Sequence, residues 1–166
     1  MKSDLVNLTS QLIQTPSITG DLKACNDALE LVKKELKEFK FKEFEKKGVR
    51  SLLFYNTPTI PKKFRLILNA HVDVVPANSE QFNPIIKGDK LYGRGAQDMK
   101  SGAAAMIHAF KETASKVNYP LALQVVTDEE TGGFNGVKYQ IEKGILTDCV
   151  IAGESTNLEI ITSSKG

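Results

Sequence analysis

Residues 64–73 read FRLILNAHVD, from Phe64 to Asp73. Phe64 to Ala70 is a short apolar run and reads as a buried strand. It ends on an imidazole and a carboxylate, His71 and Asp73. If the strand continues to this point, residues two apart project from the same face. An imidazole can then bind metal while the nearby carboxylate holds its other nitrogen, fixing the tautomer and raising ligand basicity.

The same pattern recurs downstream. Leu121 to Thr127 (LALQVVT) is a second buried strand, followed by Asp128-Glu129-Glu130. Cys149 to Ala152 reads as a third, followed by Gly153-Glu154-Ser155-Thr156, and Leu158 to Thr162 as another. Two further strands are expected near 41–46 and 51–56. Helical spacing appears over residues 4–14, where Ser3 or Asp4 can cap, and from Leu22 through Cys25, Leu29, Val32 and Leu36 to Phe39, with Asp21 as N-cap. Residues 74–89 read as loop. Asp98 or Ser101 opens a long helix to about Lys116, before Tyr119-Pro120 breaks the chain. A glycine-rich loop at 132–136 leads into a helix ending at Gly144. Helices that alternate with apolar strands predict an α/β fold, a three-layer sandwich with a mostly parallel, mixed central sheet covered by helices on both faces. Ligands of open α/β sheets bind outside the carboxyl ends of strands, so polar clusters at three strand ends describe a composite active site.

Bulk properties remove other classes. A length of 166 residues fits one domain with a real core. With 41% apolar and 25% charged residues, disorder and membrane classes fit poorly. A net charge of +2, from 22 basic and 20 acidic residues, gives no case for nucleic acid or a membrane as partner. The basic stretch Lys33 to Lys47 is interleaved with glutamates and reads as a solvated face. Met1 to Thr15 lacks the apolar region of a signal peptide, and no apolar run approaches membrane-spanning length. Cys25 and Cys149 lie far apart in apolar patterns and are expected as buried free thiols, in keeping with a cytoplasmic location.

Each polar cluster has an ordinary reading by itself. His71-x-Asp73 matches any strand-end histidine beside a turn aspartate. Asp98, within Gly93-Arg94-Gly95-Ala96-Gln97-Asp98-Met99-Lys100-Ser101-Gly102, matches a simple N-cap after a glycine turn. Gly93-x-Gly95 before a helix also suggests a nucleotide-binding fingerprint, but the third glycine of that motif falls on Asp98, whose carboxylate repels a pyrophosphate. Asp128-Glu129-Glu130 matches a surface acidic turn, although adjacent acids repel unless something positive sits among them. Glu154 matches a loop acid. Together they supply one histidine and several carboxylates at separate element ends. Zinc accepts both donor types, and hydrolytic sites pair two metals ~3.5–4 Å apart across a shared ligand, for which Asp98 is the natural bridge.

This ordered set resembles the zinc-dependent family of aminoacylase, acetylornithine deacetylase and carboxypeptidase G, which includes succinyl-diaminopimelate desuccinylase. The resemblance runs through almost the whole chain. It implies that His71 and Glu154 bind one metal, that Asp98 bridges both and that Glu130 binds the second. It further implies that Glu129 is the base that carries a proton from the attacking water to the leaving amine, and that Asp73 orients His71. Ser155 stands where the family often has proline. The implied activity is zinc-dependent amide hydrolysis of an N-acyl amino acid or small peptide, with two zinc ions per complete site and cobalt or manganese as substitutes. The implied full-length form is a homodimer.

One departure matters. The family has a further ligand histidine after an inserted lid or dimerisation domain, whereas this chain has only His71 and His108. His108 lies ten residues beyond Asp98, about 15 Å along a helix, too far to share its metal. Residues 1–166 are therefore expected to be the N-terminal portion of the catalytic domain, without the lid and C-terminal catalytic segment, and weakly active or inactive alone. A non-catalytic fragment serving as scaffold, and a nucleotide-binding α/β domain, are the alternative readings.

Overall fold

The computed structural model describes residues 2–156 and 159. Helix α1 spans Lys2–Gln14, beginning before both expected caps, and stops ahead of Pro16. Helix α2 spans Leu22–Glu35 and starts where expected, with the Asp21 carboxylate accepting the Ala24 N–H at 3.0 Å. Its buried stripe is Ala24, Cys25, Ala28, Leu29 and Val32. The apolar spacing continues to Phe39, but the helix does not. Leu36 leaves helical geometry, and Phe39 reaches the core from the following turn, edge-on to Phe110 with ring centroids 5.0 Å apart.

Strands β1 (Lys40–Lys46) and β2 (Val49–Tyr55) form a hairpin. Its two-residue turn has Lys47 and Gly48 both at positive φ, 54° and 81°, the twist that suits a right-handed hairpin. Strand β3 is Phe64–His71. The segment expected as plain loop holds a helical turn at Ser79–Phe82 and strand β4 (Ile85–Lys87), which pairs with β5 (Lys90–Tyr92) in a separate small sheet. Helix α3 covers Ser101–Thr113, strand β6 Leu121–Val126, helix α4 Val137–Glu142 and strand β7 Thr147–Ala152. The strand expected over 158–162 falls outside the described residues, apart from Glu159.

The main sheet has the order β1-β2-β6-β3-β7. Strand β2 is antiparallel to β1 and β6, while β3 is parallel to β6 and β7, so β2 alone runs against the rest. Alternation of side chains sorts two cores. Leu52, Phe54, Leu68, Ala70, Leu123 and Val125 pack with α1, α2 and α3, while Leu53, Ile67 and Ala122 pack with Ile145 and Tyr139 beside α4. This is the expected layered α/β arrangement. Strand β6 is buried along its whole length at the sheet centre.

The two thiols differ. Cys25 is buried, and burial chiefly pushes its thiol up to about 12. Cys149 is exposed, against expectation. Its strand β7 is an edge among the described strands, so an apolar neighbourhood in sequence did not become burial. Among the described residues no helix is long and apolar enough to cross a membrane.

Because β6, β3 and β7 are parallel neighbours, their carboxyl ends lie at one end of the sheet, where His71, Asp128–Glu130 and Glu154 leave the strands. Helix α3 brings the remaining component there, and it starts at Ser101, one of the two expected starts. Asp98 is no N-cap. It sits in an irregular turn, Ala96–Lys100, with φ −117° and ψ 106°, followed by a cis peptide bond to Met99. Gly95 enters that turn at φ 76°, a conformation glycine adopts freely. Lys100 anchors the turn to α1. Its buried ammonium donates to Leu12 O at 2.7 Å and Thr15 O at 2.8 Å, carbonyls in the last turn of α1 and just beyond it.

Candidate metal centre

His71 is the centre of the site. It is 1% exposed, and its backbone N–H donates to Met99 Sδ at 3.2 Å. Its Nδ1 lies 3.0 Å from the Asp73 backbone carbonyl and 3.4 Å from Asp73 Oδ1. A carbonyl can only accept, so Nδ1 carries a proton, and in neutral histidine the lone pair is on Nε2. Nε2 faces three carboxylates: Asp98 Oδ1 at 3.0 Å, Glu154 Oε1 at 3.5 Å and Glu129 Oε2 at 3.6 Å. Ligand atoms of His71, Asp98 and Glu154 all lie within 4.8 Å of one another.

Asp73 does more than hold the imidazole. Its carboxylate accepts the backbone N–H groups of Glu129 and Glu130, each at 3.3 Å, and the Thr19 hydroxyl at 2.8 Å. Asp73 thus ties the turn after β6 to the end of β3. Asp128 faces elsewhere. It is 3% exposed, and Oδ2 accepts from Asn135 N at 2.8 Å and Gly136 N at 3.1 Å. Of the acidic run, one member therefore shapes the loop and two remain near the site. Glu130 lies outside the tight His71–Asp98–Glu154 group but shares its cleft. That cleft, of about 510 Å³, is lined by Val75, Arg94, Asp98, Glu130, Glu154 and Ser155, among others. His108 lines a different groove, with Asp4 and Leu8 of α1.

The electrostatics of the cluster suit a cation. Burial opposes a charged imidazole, yet Asp73, Glu154 and Glu129 outweigh it and push His71 up to about 9. Glu130 is raised by burial and by Asp98. Glu154 is raised by burial, then by Asp98, Glu129 and Glu130, with His71 opposing. Carboxylates crowded in this way repel one another, and a divalent ion among them relieves that repulsion. One imidazole nitrogen with carboxylate oxygens is a donor set that zinc accepts.

Several contributors gave no signal in the sequence. Met99 and Lys100 look like ordinary helix residues there. Gly102 and Gly153 were legible only as glycines, yet each fills a place without room for a side chain. A Cβ on Gly102 would overlap the Gly153 carbonyl oxygen, and one on Gly153 would lie 2.8 Å from Met99 Cε. Helix α3 and the end of β7 thus meet backbone to backbone, which sets Asp98 beside Glu154.

Comparison with known sequences agrees with this geometry. The sequence profile of peptidase family M20/M25/M40 matches residues 67–163, more than half of the chain. The chain belongs to this family. Among curated relatives of this M20 chain, the succinyl-diaminopimelate desuccinylase of Nautilia profundicola is 35% identical over 165 residues, covering 92% of this chain and 42% of that protein. The enzyme of that name from Nitratiruptor sp. is 38% identical over 148 residues, covering 84% and 38%. The M20 chain thus spans less than half the length of these relatives. Among solved structures, an M20 family metallo-carboxypeptidase from Sulfolobus solfataricus superposes with a TM-score of 0.74 at 26% identity, covering 92% of this chain and 37% of that one. Human carnosine dipeptidase 1 shares the fold, with a TM-score of 0.73 at 17% identity over 91% of this chain and 38% of that one.

Proposed function

We propose that this chain supplies the metal-holding side of the active site of a hydrolase that cleaves an amide bond in an N-acyl amino acid or small peptide. The observation that carries the reading is the convergence of Asp98, Glu154 and Glu129 on His71 Nε2, whose other nitrogen is already engaged. Family membership and the names of the relatives support it, with a deacylase of the desuccinylase type as the finer reading.

In this proposal His71 and Glu154 would hold one ion, with Asp98 shared between it and a second ion that Glu130 would hold. The donor set suits zinc, with cobalt or manganese as substitutes, and an ion held there would supply Lewis-acid chemistry to the scissile carbonyl and to a nearby water. Asp73 positions the site twice over, through its carbonyl on His71 Nδ1 and its carboxylate on the Glu129–Glu130 backbone. Glu129 has its backbone held and its carboxylate half exposed at the cleft. It takes a proton from water and delivers it to the leaving amine, a role worth ~10²–10⁴-fold. Residues 1–166 form the first portion of the catalytic domain, and the protein's full ligand set includes groups from outside it, in line with the length of the relatives.

Zinc titration with elemental analysis, followed by assay of N-acyl amino acid hydrolysis, tests this reading. The chain should hold one firm zinc, lost with chelator and weakened by His71→Ala, and Glu129→Gln should keep the zinc while abolishing whatever hydrolysis is measured. A chain that takes up no zinc would overturn the proposal. Two tightly held ions would overturn the one-sided assignment.

A further inference from the structure

The cleft that holds the acidic cluster has one basic side chain in its lining, Arg94. The chain has three arginines, Arg50, Arg65 and Arg94. Arg50 pairs with Glu30 and Glu43, and Arg65 with Asp148. Among the described residues Arg94 makes no ion pair, although Asp98, Glu130 and Glu154 line the same cleft. Its Nε is buried without an acceptor. That leaves the terminal Nη groups of the guanidinium as the donors for a ligand in the cleft.

The backbone beneath Arg94 is held in place. Its N–H donates to Gln81 O at 2.7 Å. A Cβ on Gly93 would meet Ile13 Cγ2 at 2.6 Å, and Gly95 has φ +76°. The turn therefore presents the guanidinium from a rigid support, and preorganised groups bind with less loss of freedom.

We propose that Arg94 is a specificity residue that anchors a carboxylate of the substrate, which rests on the amide-hydrolase reading above. The planar guanidinium fork matches a carboxylate with paired, charge-assisted hydrogen bonds. The cleft then has two unlike ends. His71, Asp98 and Glu154 hold a cation, and Arg94 holds an anion, so a substrate with an amide carbonyl at one end and a carboxylate at the other is selected over a neutral one. Two carboxylates of an N-acyl amino acid could fill this role, one on the acyl group and one on the amino acid.

The test uses the zinc-loaded chain and three ligands measured by calorimetry or NMR titration: N-succinylglycinamide, with only an acyl carboxylate, N-acetylglycine, with only an amino-acid carboxylate, and neutral N-acetylglycinamide. One of the two acids should bind about tenfold or more tightly than the neutral ligand. Arg94→Gln should erase that preference and leave the neutral ligand unchanged, and Arg94→Lys should keep part of it. The acid that loses affinity identifies the carboxylate. Absence of any preference in the unaltered chain, a preference that survives Arg94→Gln, or an equal weakening of all three ligands overturns the proposal. If Arg94→Gln does not fold, the same ligands on Arg94→Lys decide it, because an undiminished preference there excludes fork recognition. Zinc titration of the same samples reports on the metal separately: a chain without zinc but with an Arg94-dependent preference sinks the metal reading alone.

Discussion

Replacing Gly102 with alanine should unfold a connection on which the metal centre depends. By helix propensity alone, glycine to alanine near the start of α3 is favourable by up to about 1 kcal/mol. The tertiary contact predicts the opposite sign. The new Cβ would overlap the Gly153 carbonyl oxygen and lie 3.0 Å from its carbon. Ordinary carbon–carbon contact is ~3.5–4.0 Å and the oxygen lies closer still, so the end of β7 must retreat by about 1 Å or more. Overpacking of this kind costs about 1–3 kcal/mol, and for a chain of this size each kcal/mol lowers Tm by roughly 2–4 °C. The site is less tolerant still, since metal–ligand distances must hold within about 0.2 Å. Glu154 follows Gly153 directly and would move away from Asp98 and His71, now 3.5 Å from its carboxylate. Gly102→Ala should therefore melt several degrees lower and bind zinc at least about tenfold more weakly. Thermal melts and zinc titration read both. A variant as stable as the parent with unchanged zinc affinity would show that this backbone contact does not position Glu154.

Two further expectations follow. Zinc must displace the proton that His71 holds with a pKa of about 9, so below that pH its affinity should rise with pH, about tenfold per unit from pH 6.5 to 8.5. Calorimetry in buffers of different ionisation heat should count about one proton released per zinc at pH 7, and a flat profile with no release would refute the assigned environment of His71. Asp128→Ala removes the acceptor for Asn135 N and Gly136 N, and should lower stability by about 1–3 kcal/mol in urea denaturation. A change under about 0.5 kcal/mol would mean that the Asp128 carboxylate does not hold this loop.

Local pattern was enough to find the main elements and the polar residues at their ends. The apolar runs of β3 and β6, the stripe and cap of α2, and the acids and histidine after successive strands are properties of neighbouring residues, and parallel strands necessarily deliver their carboxyl ends to one edge. What a side chain touches is a different kind of quantity, since it depends on segments far away in sequence. Asp128 and Glu129 are adjacent and chemically alike, yet one turns under Asn135 and Gly136 and the other faces His71. Asp73 lies as close to His71 as the pattern implied, but its carboxylate holds backbone N–H groups more than fifty residues away. Lys100 resembles any surface lysine until the end of α1 supplies its carbonyls, and Cys149 resembles a core residue although its strand lies at an edge among the described strands. The sequence by itself determined the types of the main elements, the layered α/β class and the donor residues on offer, because these follow from periodicity and donor chemistry. Only the tertiary structure decided that His71, Asp98 and Glu154 meet within a few ångströms, because that meeting depends on the irregular turn before α3 and on two glycines that let backbones touch.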